Sequence, residues 1–596
     1  MRVADYIFKT LADRGVKHAF LVVGGGAMQL NDALRLETRI TPVCCHHEQG
    51  CAIAAEGYFR ASGNLPVVSV TTGPGGTNAL TGVIGAWLDS IPMLVISGQV
   101  KFETTTASCP QLGLRQLGDQ EINIIDIVKP VTKYAAMVTD PNKIGEMLAR
   151  ALHEATTGRP GPVWLDIPLN VQGALIDEST LPQSEIYPDR QTDNTKCYEQ
   201  FVHLLSKSKR PVVIAGHGIE LDHMEIPFRD LIESKEIPVL TTFNGMNILP
   251  TDHPFNFGRI GTIGHRAANF ILQAADLVIS IASRNNIRQI SYNWENFAKN
   301  AKKVIVDIDH AELFKPTIHA DIPIEDSAKN FIVRWAQDTT DCARPNWLTW
   351  CKQRREKYPF HTPDQAKDFP DGVNPYHFLW TLTQACPSDV NIVAGNGTAC
   401  VALFQTCIVK ERQKIFWNSG CASMGYDIPA ALGAAVATNR TTLCIAGDGS
   451  AMMNLQELET IIYRQLPVKI ILLANDGYCS IRQTQKNFFS PELMGCGPTS
   501  GVGFPDFIKL AKAFGFQTST IDSHLNLAEK CAMIFEDRLP HLCLVKVSPG
   551  VNFSPKLSAR RLPDGKMISP ALDDMFPFLS KEELESNRIQ DASCLV

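Results

Sequence analysis

The chain has no apolar run long enough to span a bilayer. Its longest candidate, around Val83–Ser97, is interrupted by Asp89 and Pro92. It has no Cys-x-x-Cys pair. Seventeen cysteines are scattered along 596 residues, which argues against zinc ribbons or a disulfide framework and for buried thiols in a reducing cytoplasm. It has no basic block: net charge is −6 with both signs interspersed, so neither nucleic acid nor an anionic membrane is an expected partner. Low-complexity tracts are missing too. The N-terminus, with Asp5 and no apolar core, does not read as a secretory signal.

What remains is ordinary globular composition, 44% hydrophobic and 20% charged, in a chain too long for one core. Strand-length apolar runs alternate with helical patterns: Ala19–Val23, Val67–Thr71, Met93–Ser97, Val163–Ile167, Val212–Ala215, Leu277–Ile281, Val304–Ile308, Ile392–Ala394, Thr442–Ile445 and Val468–Leu473. Nearly continuous Val/Ile/Leu strands between helices predict parallel sheets covered on both faces. The fold class is therefore α/β, with doubly wound parallel sheets and ligand crevices at the carboxyl ends of strands. Two polar, Pro-containing segments read as linkers and divide the chain into three blocks. The first includes Pro182 and Pro188; the second, rich in charge, is expected to contain a helix. The expected limits are 1–172, a linker 173–195, 196–342, a linker 343–374, 375–550, and an irregular tail 551–596.

Gly447-Asp448-Gly449-Ser450 follows the strand Leu443-Cys444-Ile445 and precedes Met452, Met453, Leu455, Leu458, Ile461 and Ile462 at helical spacing. A helix starting after Gly449 would turn free N–H groups toward an anion such as diphosphate. Asp448 could hold Mg²⁺. Taken singly, Asp448 is a helix cap and Asn475 a turn residue. Together they are separated by one helix plus one strand, with twenty-five residues between Gly449 and Asn475, and both stand at carboxyl ends of neighbouring strands.

On that motif the chain resembles the thiamine diphosphate-dependent, acetolactate synthase-like family of 2-oxo acid decarboxylases and carboligases. Ala474-Asn475 stands where the family usually has two asparagines. The resemblance implies three α/β domains in order: pyrimidine-binding, central Rossmann-like and diphosphate-binding. It also implies that Asp448, Asn475 and the Gly477 carbonyl hold Mg²⁺ against the diphosphate. Cys45-His46-His47-Glu48-Gln49-Gly50, running on to Ala55-Glu56-Gly57-Tyr58, is similar to the family block carrying the activating glutamate. That block makes Glu48 the group on the pyrimidine N1′. Further matches assign Gly73 and Asn78 of Thr72–Asn78, Gly397 and Thr398, Ala422 and Met424, Gly449 and Ser450, and Ser480 and Ile481 to the cofactor. Met424 would be the wedge that bends it. Gln120 would be an active-site glutamine, and Gly25, Gln120, Arg288 and Thr484 would face substrate.

In the central block, Gly216 ends a short Gly turn and Asp307 ends a strand where an acid suits a ribose hydroxyl. A plain spacer domain fits the spacing equally well. By resemblance this domain binds FAD in acetolactate synthases and ADP or nothing in relatives. Arg284 and Arg288 match a paired-arginine motif, and Arg288 could clamp a carboxylate or phosphate. Thr484 stands where acetolactate synthases usually carry Trp. Together with Tyr478–Gln485, Phe553–Lys556 and Asp564-Gly565 it resembles a sub-group found with surface-polysaccharide and specialised-metabolite genes.

The expected activity is decarboxylation of a pyruvate-like 2-oxo acid and transfer of its acyl group to an acceptor carbonyl. Simple decarboxylation or C–C cleavage on the same cofactor, and a non-catalytic cofactor-binding regulator, are the alternatives. The family's shared sites imply a homodimer or homotetramer.

Overall fold

The computed structural model describes residues 1–181, 192–367, 369–489, 492–561, 565 and 567–588. Pro182 and Pro188 of the first linker and Asp564 of the tail lie outside the described residues.

Three six-stranded sheets, every neighbouring pair parallel, follow one another along the chain. The first contains β1 (His18–Leu21), β2 (Thr41–Cys44), β3 (Val67–Val70), β4 (Met93–Gln99), β5 (Tyr134–Met137) and β6 (Pro162–Pro168), in the order β2-β1-β3-β4-β6-β5. The second contains β7 (Pro211–Ala215), β8 (Val239–Thr241), β9 (Asn256–Arg259), β10 (Leu277–Ile281), β11 (Lys302–Asp307) and β12 (Ile322–Glu325), in the order β12-β11-β10-β7-β8-β9. Read from its own first strand, that is the 3-2-1-4-5-6 order of dinucleotide-binding sheets. The third contains β13 (Asn391–Ala394), β14 (Lys414–Phe416), β15 (Thr442–Gly447), β16 (Val468–Ala474), β17 (Gln517–Ile521) and β18 (His541–Lys546), ordered β14-β13-β15-β16-β18-β17. β4, β6, β7 and β10 are buried at every residue, because helices cover both faces.

The first and third sheets meet through two helices, Glu48–Ser62 and Asp427–Thr438. Both carry small residues along the shared face. A Cβ on Gly57 would overlap the Ala430 carbonyl oxygen, and one on Gly433 would overlap the Ala54 carbonyl oxygen. Only glycine lets these backbones touch. A buried cluster pins the contact: Arg60 donates to Glu56 Oε1 at 2.9 Å and to Asp89 Oδ2 at 2.7 Å, while Asp89 Oδ1 accepts from the Gly420 N–H at 2.9 Å.

The second linker carries the helix expected of it, and the tail proves more structured than its composition suggests. Within 343–374 the helix Pro345–Lys357 places Trp347, Trp350 and Cys351 in the core of the central sheet, and Trp347 Nε1 donates to Pro211 O at 2.9 Å. The tail, expected to be irregular, lays Leu557, Leu572, Leu579 and Leu584 on that same core. Asn269 Nδ2 donates to Leu572 O at 3.1 Å. Four leucines spread through a Pro- and charge-rich segment have no local period, so their burial is a tertiary outcome.

Candidate active site

At the carboxyl edge of the first sheet, the loops after β1, β2 and β3 converge. The loop after β2 leads into the helix at Glu48, where the His47 ring accepts the Gln49 N–H. Glu48 is 8% exposed, and its Oε2 accepts from Asn78 Nδ2 at 3.0 Å. After β3, Gly73 adopts φ +61 and packs so closely on the Gln120 carbonyl that a Cβ would overlap it. Gln120, itself at φ +60, presents an exposed side chain there. After β1, Gly25 is exposed, and the following Gly26 N–H donates to Thr71 Oγ1 at 3.1 Å. Glu48, Asn78, Gly73, Gln120 and Gly25 therefore border one sheet edge.

At the third sheet, Asp448 follows β15 and Asn475 follows β16. The Asp448 carboxylate is buried and fully engaged by backbone: it accepts the Gly449 N–H at 2.7 Å, and the Asn475 and Gly477 N–H groups at 3.0 Å each. Burial raises its pKa from the ordinary carboxylate value, and these N–H donors oppose the rise. Asn475 Nδ2 donates to Thr398 Oγ1 at 3.3 Å, while Asn475 Oδ1 is buried with no partner among the described residues. Gly477, at φ +115, lets the turn close against Cys496 O.

One expectation is corrected at this point. The helix expected to run on from Gly449 is broken into Asp448–Ala451 and Glu457–Tyr463. Asn454, between them, spends its amide on Gly425 O at 2.7 Å, and Met452 and Met453 are exposed rather than on a packed stripe. The Gly449 N–H is also not free, since it serves Asp448. The open helix end nearby belongs instead to Thr398–Thr406, which starts from Gly397 at φ +86 without a side-chain cap. A Cβ on Gly397 or Gly447 would meet nothing within 4 Å, so both face open space. Nine residues of helix then aim uncapped N–H groups beside Asp448 and Asn475.

The remaining residues border this edge. Ser450 Oγ accepts the Gly425 N–H at 2.8 Å and so supports the loop bearing Met424. Asn396 Nδ2 donates to Ser423 O at 2.7 Å, and Ala422 takes φ +55 with its N–H on Asn418 O at 2.9 Å. Met424, half-buried, is held between these anchors. Ser480 and Ile481 open the helix Cys479–Phe488, and Thr484 is exposed one turn later with its hydroxyl on Ser480 O at 3.1 Å.

Not everything gathers. Among the described residues no hydrogen bond links Glu48 to Asp448, Asn475 or Gly477 of the same chain. Arg284 and Asp307 line the central sheet's cleft with His217 and Gly218, and burial raises Asp307 to about 6. Arg288 lies elsewhere, exposed, with its charge acting on the Cys400 thiol. The two arginines thus stand in different places, Arg284 at the cleft and Arg288 outside it. Gly216 is explained by packing, since a Cβ there would overlap Ala282 O.

Glu457 escaped the sequence reading. It is fully buried, and its Oε1 accepts the His46 N–H at 3.1 Å, two residues before Glu48. Its signal was a carboxylate on the same helix face as Ile461, four residues on, where burial makes an acid costly.

The donor set suits a hard cation with a diphosphate: one fixed carboxylate, one unpartnered amide oxygen, a backbone turn and an open helix end. Comparison with known proteins identifies the family. Three family profiles cover the chain in order: "Thiamine pyrophosphate enzyme, N-terminal TPP binding domain" at residues 1–126, its central domain at 198–334, and its C-terminal TPP binding domain at 395–545. The acetolactate synthase large subunit of Lactococcus lactis subsp. lactis is 33% identical over 565 residues, covering 93% of this chain and 94% of that one. Acetolactate synthase isozyme 2 large subunit of Escherichia coli is 32% identical, covering 86% and 90%. Acetolactate synthase 1, chloroplastic, of Oryza sativa subsp. japonica is 30% identical, covering 90% and 83%. This chain belongs to the thiamine pyrophosphate enzymes of the acetolactate synthase type.

Proposed function

We propose that the protein decarboxylates a pyruvate-like 2-oxo acid and joins the acyl unit to an acceptor carbonyl. The observation that carries the reading is the buried, unpartnered Asn475 Oδ1 beside the fixed Asp448 carboxylate, under the open end of the helix Thr398–Thr406. When bound, thiamine diphosphate supplies the electron sink that lets the acyl group leave CO₂ and pass to the acceptor. Asp448, Asn475 and the Gly477 carbonyl would hold Mg²⁺. Gly397, Thr398, Gly449, Ser450, Ser480 and Ile481 would border the cofactor, and Ala422 and Met424 would support it. Glu48, with Asn78 on its other oxygen, would hold and exchange a proton at the pyrimidine. Gln120, Gly25, Thr484 and Arg288 would face substrate.

A homodimer or homotetramer completes the reading. Leu112, Leu114 and Leu117 on the loop before Gln120, and Phe488, Phe489 and Met494 after Thr484, are exposed large apolar side chains beside the two edges. A second copy covering them would bring one chain's Glu48 to the other's metal residues. We place the domain limits at 1–172, 196–342 and 375–550, each enclosing one complete sheet. FAD or ADP in the central cleft is supported by the strand order and by Arg284 and Asp307 at its lip. No helix among the described residues is long and apolar enough to cross a membrane, and all described cysteines are free, which supports a cytoplasmic setting.

The test is incubation with pyruvate and a panel of oxo-acid and aldehyde acceptors, with CO₂ and ligated product measured together. Product in step with CO₂ is expected. CO₂ without product means simple decarboxylation; neither, with cofactor bound, removes the reading. An absorption spectrum of the purified protein decides flavin.

A further inference from the structure

Two residues at the first sheet's edge stand in the left-handed region, Gly73 at φ +61 and Gln120 at φ +60. Glycine takes that conformation freely, but a glutamine keeps it only where its surroundings hold it. The two touch, since a Cβ on Gly73 would overlap the Gln120 carbonyl oxygen. What holds them lies one layer deeper. Gln99, the last residue of β4, is 1% exposed, and its amide reaches both sides of that contact. Its Oε1 accepts from Thr72 Oγ1 at 2.5 Å, next to Gly73, and from the Val100 N–H at 3.0 Å. Its Nε2 donates to Ile122 O at 3.0 Å, two residues past Gln120, and to Asp166 Oδ2 at 3.1 Å.

That amide has one way to sit. The Val100 N–H can only donate and the Ile122 carbonyl can only accept, so a flipped amide would set donor against donor and acceptor against acceptor. The far end of the network is fixed in β6: Asp166 Oδ1 accepts from Ser97 Oγ at 2.6 Å, and Ser97 Oγ accepts from Trp164 Nε1 at 2.8 Å. On the other side of Gln120, the buried Glu121 carboxylate accepts from the Thr106 N–H at 3.0 Å, Thr106 Oγ1 at 2.8 Å and the Leu117 N–H at 3.1 Å. Gln120 is therefore an exposed side chain on a backbone anchored at both flanks from beneath. An apolar residue in place of Gln99 would fill the space but leave Thr72, Ile122 and Asp166 each short of a hydrogen bond.

We propose that Gln99 is a positioning residue: by tying Thr72 to Ile122, its amide sets where Gln120 presents its side chain to substrate. The inference rests on the reading above in which Gln120 faces substrate. Gln99 is sealed behind the loop and acts through Gln120, so its loss moves a binding group without removing one.

The test uses full-length protein at saturating thiamine diphosphate and Mg²⁺. CO₂ release from pyruvate gives the rate, and amide hydrogen exchange of residues 117–123 is read on the same preparation. Gln99→Met should raise KM for pyruvate about tenfold with kcat within about twofold, because a displaced binding group weakens ground and transition state alike. It should also speed exchange of 117–123. In a Gln120→Ala background the same substitution should change KM by less than about twofold, because residues that act as one are not additive. Ser97→Ala breaks the same buried network beyond Asp166 but leaves Thr72 and Ile122 on Gln99. It should lower the denaturant midpoint and keep the wild-type KM. Additive losses for Gln99→Met and Gln120→Ala overturn the proposal, as does a Ser97→Ala protein that raises KM as Gln99→Met does. If Gln99→Met does not fold, Thr72→Val, which removes the hydroxyl that Gln99 accepts, is expected to act in the same direction and decides in its place. Wild-type exchange of 117–123 in Gln99→Met removes the positioning role alone. Faster exchange together with a wild-type KM for Gln120→Ala leaves the loop tie standing and removes the substrate role of Gln120 alone. If pyruvate releases no CO₂, the exchange of 117–123 still decides.

Discussion

The first and third sheets repeat one strand order, 2-1-3-4-6-5 from each sheet's own first strand, yet they carry different chemistry at matching places. The loop after the first strand bears Gly25 in one and Gly397 in the other. The loop after the third bears Gly73 in one and Asp448 in the other. After the second strand comes Glu48 in one and the Ala422–Met424 loop in the other, each followed by a helix, and those two helices pack on each other. A shared scaffold thus sets where functional loops stand, at the crevice where the strand order reverses. The residues in those loops divide the work. One edge holds Glu48, whose carboxylate accepts from the Asn78 amide, and the other holds Asp448, whose carboxylate is gripped by three backbone N–H groups.

The largest effect should come from the first edge. Glu48→Gln should slow cofactor C2–H exchange by at least about a hundredfold, the usual scale of a lost proton-transfer group, while cofactor still binds. Exchange at the wild-type rate would return Glu48 to the role of a helix-terminus acid. At the third edge the opposite pattern is expected. Asp448→Asn should weaken thiamine diphosphate binding about ten- to a hundredfold at fixed Mg²⁺, and excess Mg²⁺ should recover part of it. Unchanged affinity would remove Asp448 from the metal.

The helix pair that joins the sheets tests whether the repeat is also mechanical. Gly433→Val forces a side chain into the Ala54 carbonyl and should cost about 1–3 kcal/mol or more, read as a lowered denaturant midpoint. A neutral result would show that the helices can separate freely.

The smallest effect is in pH. Asp427 is fully buried, has Oδ2 unpartnered among the described residues, and is raised to about 6 by burial, opposed by a hydrogen bond from Ser450. The native state keeps this proton while the unfolded chain releases it near pH 4. Its stabilising contribution is therefore present below about pH 4 and lost as pH rises through 6. That loss is on the order of 3 kcal/mol. Asp427→Asn should flatten this part of the stability profile between pH 4 and 7, and a slope equal to wild type would assign the titration to another group.

Much of this was legible before any coordinates. Each of the ten apolar runs singled out overlaps a strand, because a fully buried parallel strand must be a nearly continuous apolar run whatever its neighbours. The Asp448–Asn475 spacing placed two groups at one sheet edge because a helix and a strand between them leave little freedom. The Gly449 helix misled because its apolar period ignores Asn454, whose amide is claimed by Gly425, a residue from another element. Glu457 carried only a weak local signal, an acid on an apolar helix face, because its partner, the His46 N–H, lies far along the chain.

The sequence alone determined the α/β class, the three-block order and which residue types stand in the loops after the strands, since strand periodicity and loop residue types act over short range. Only the tertiary structure decided that Arg284 lines the central cleft while Arg288 does not, that the tail packs on the central core, and which acids are buried. Those outcomes depend on how sheets pack and which polar groups lose water, and no stretch of sequence contains both sides of such a contact.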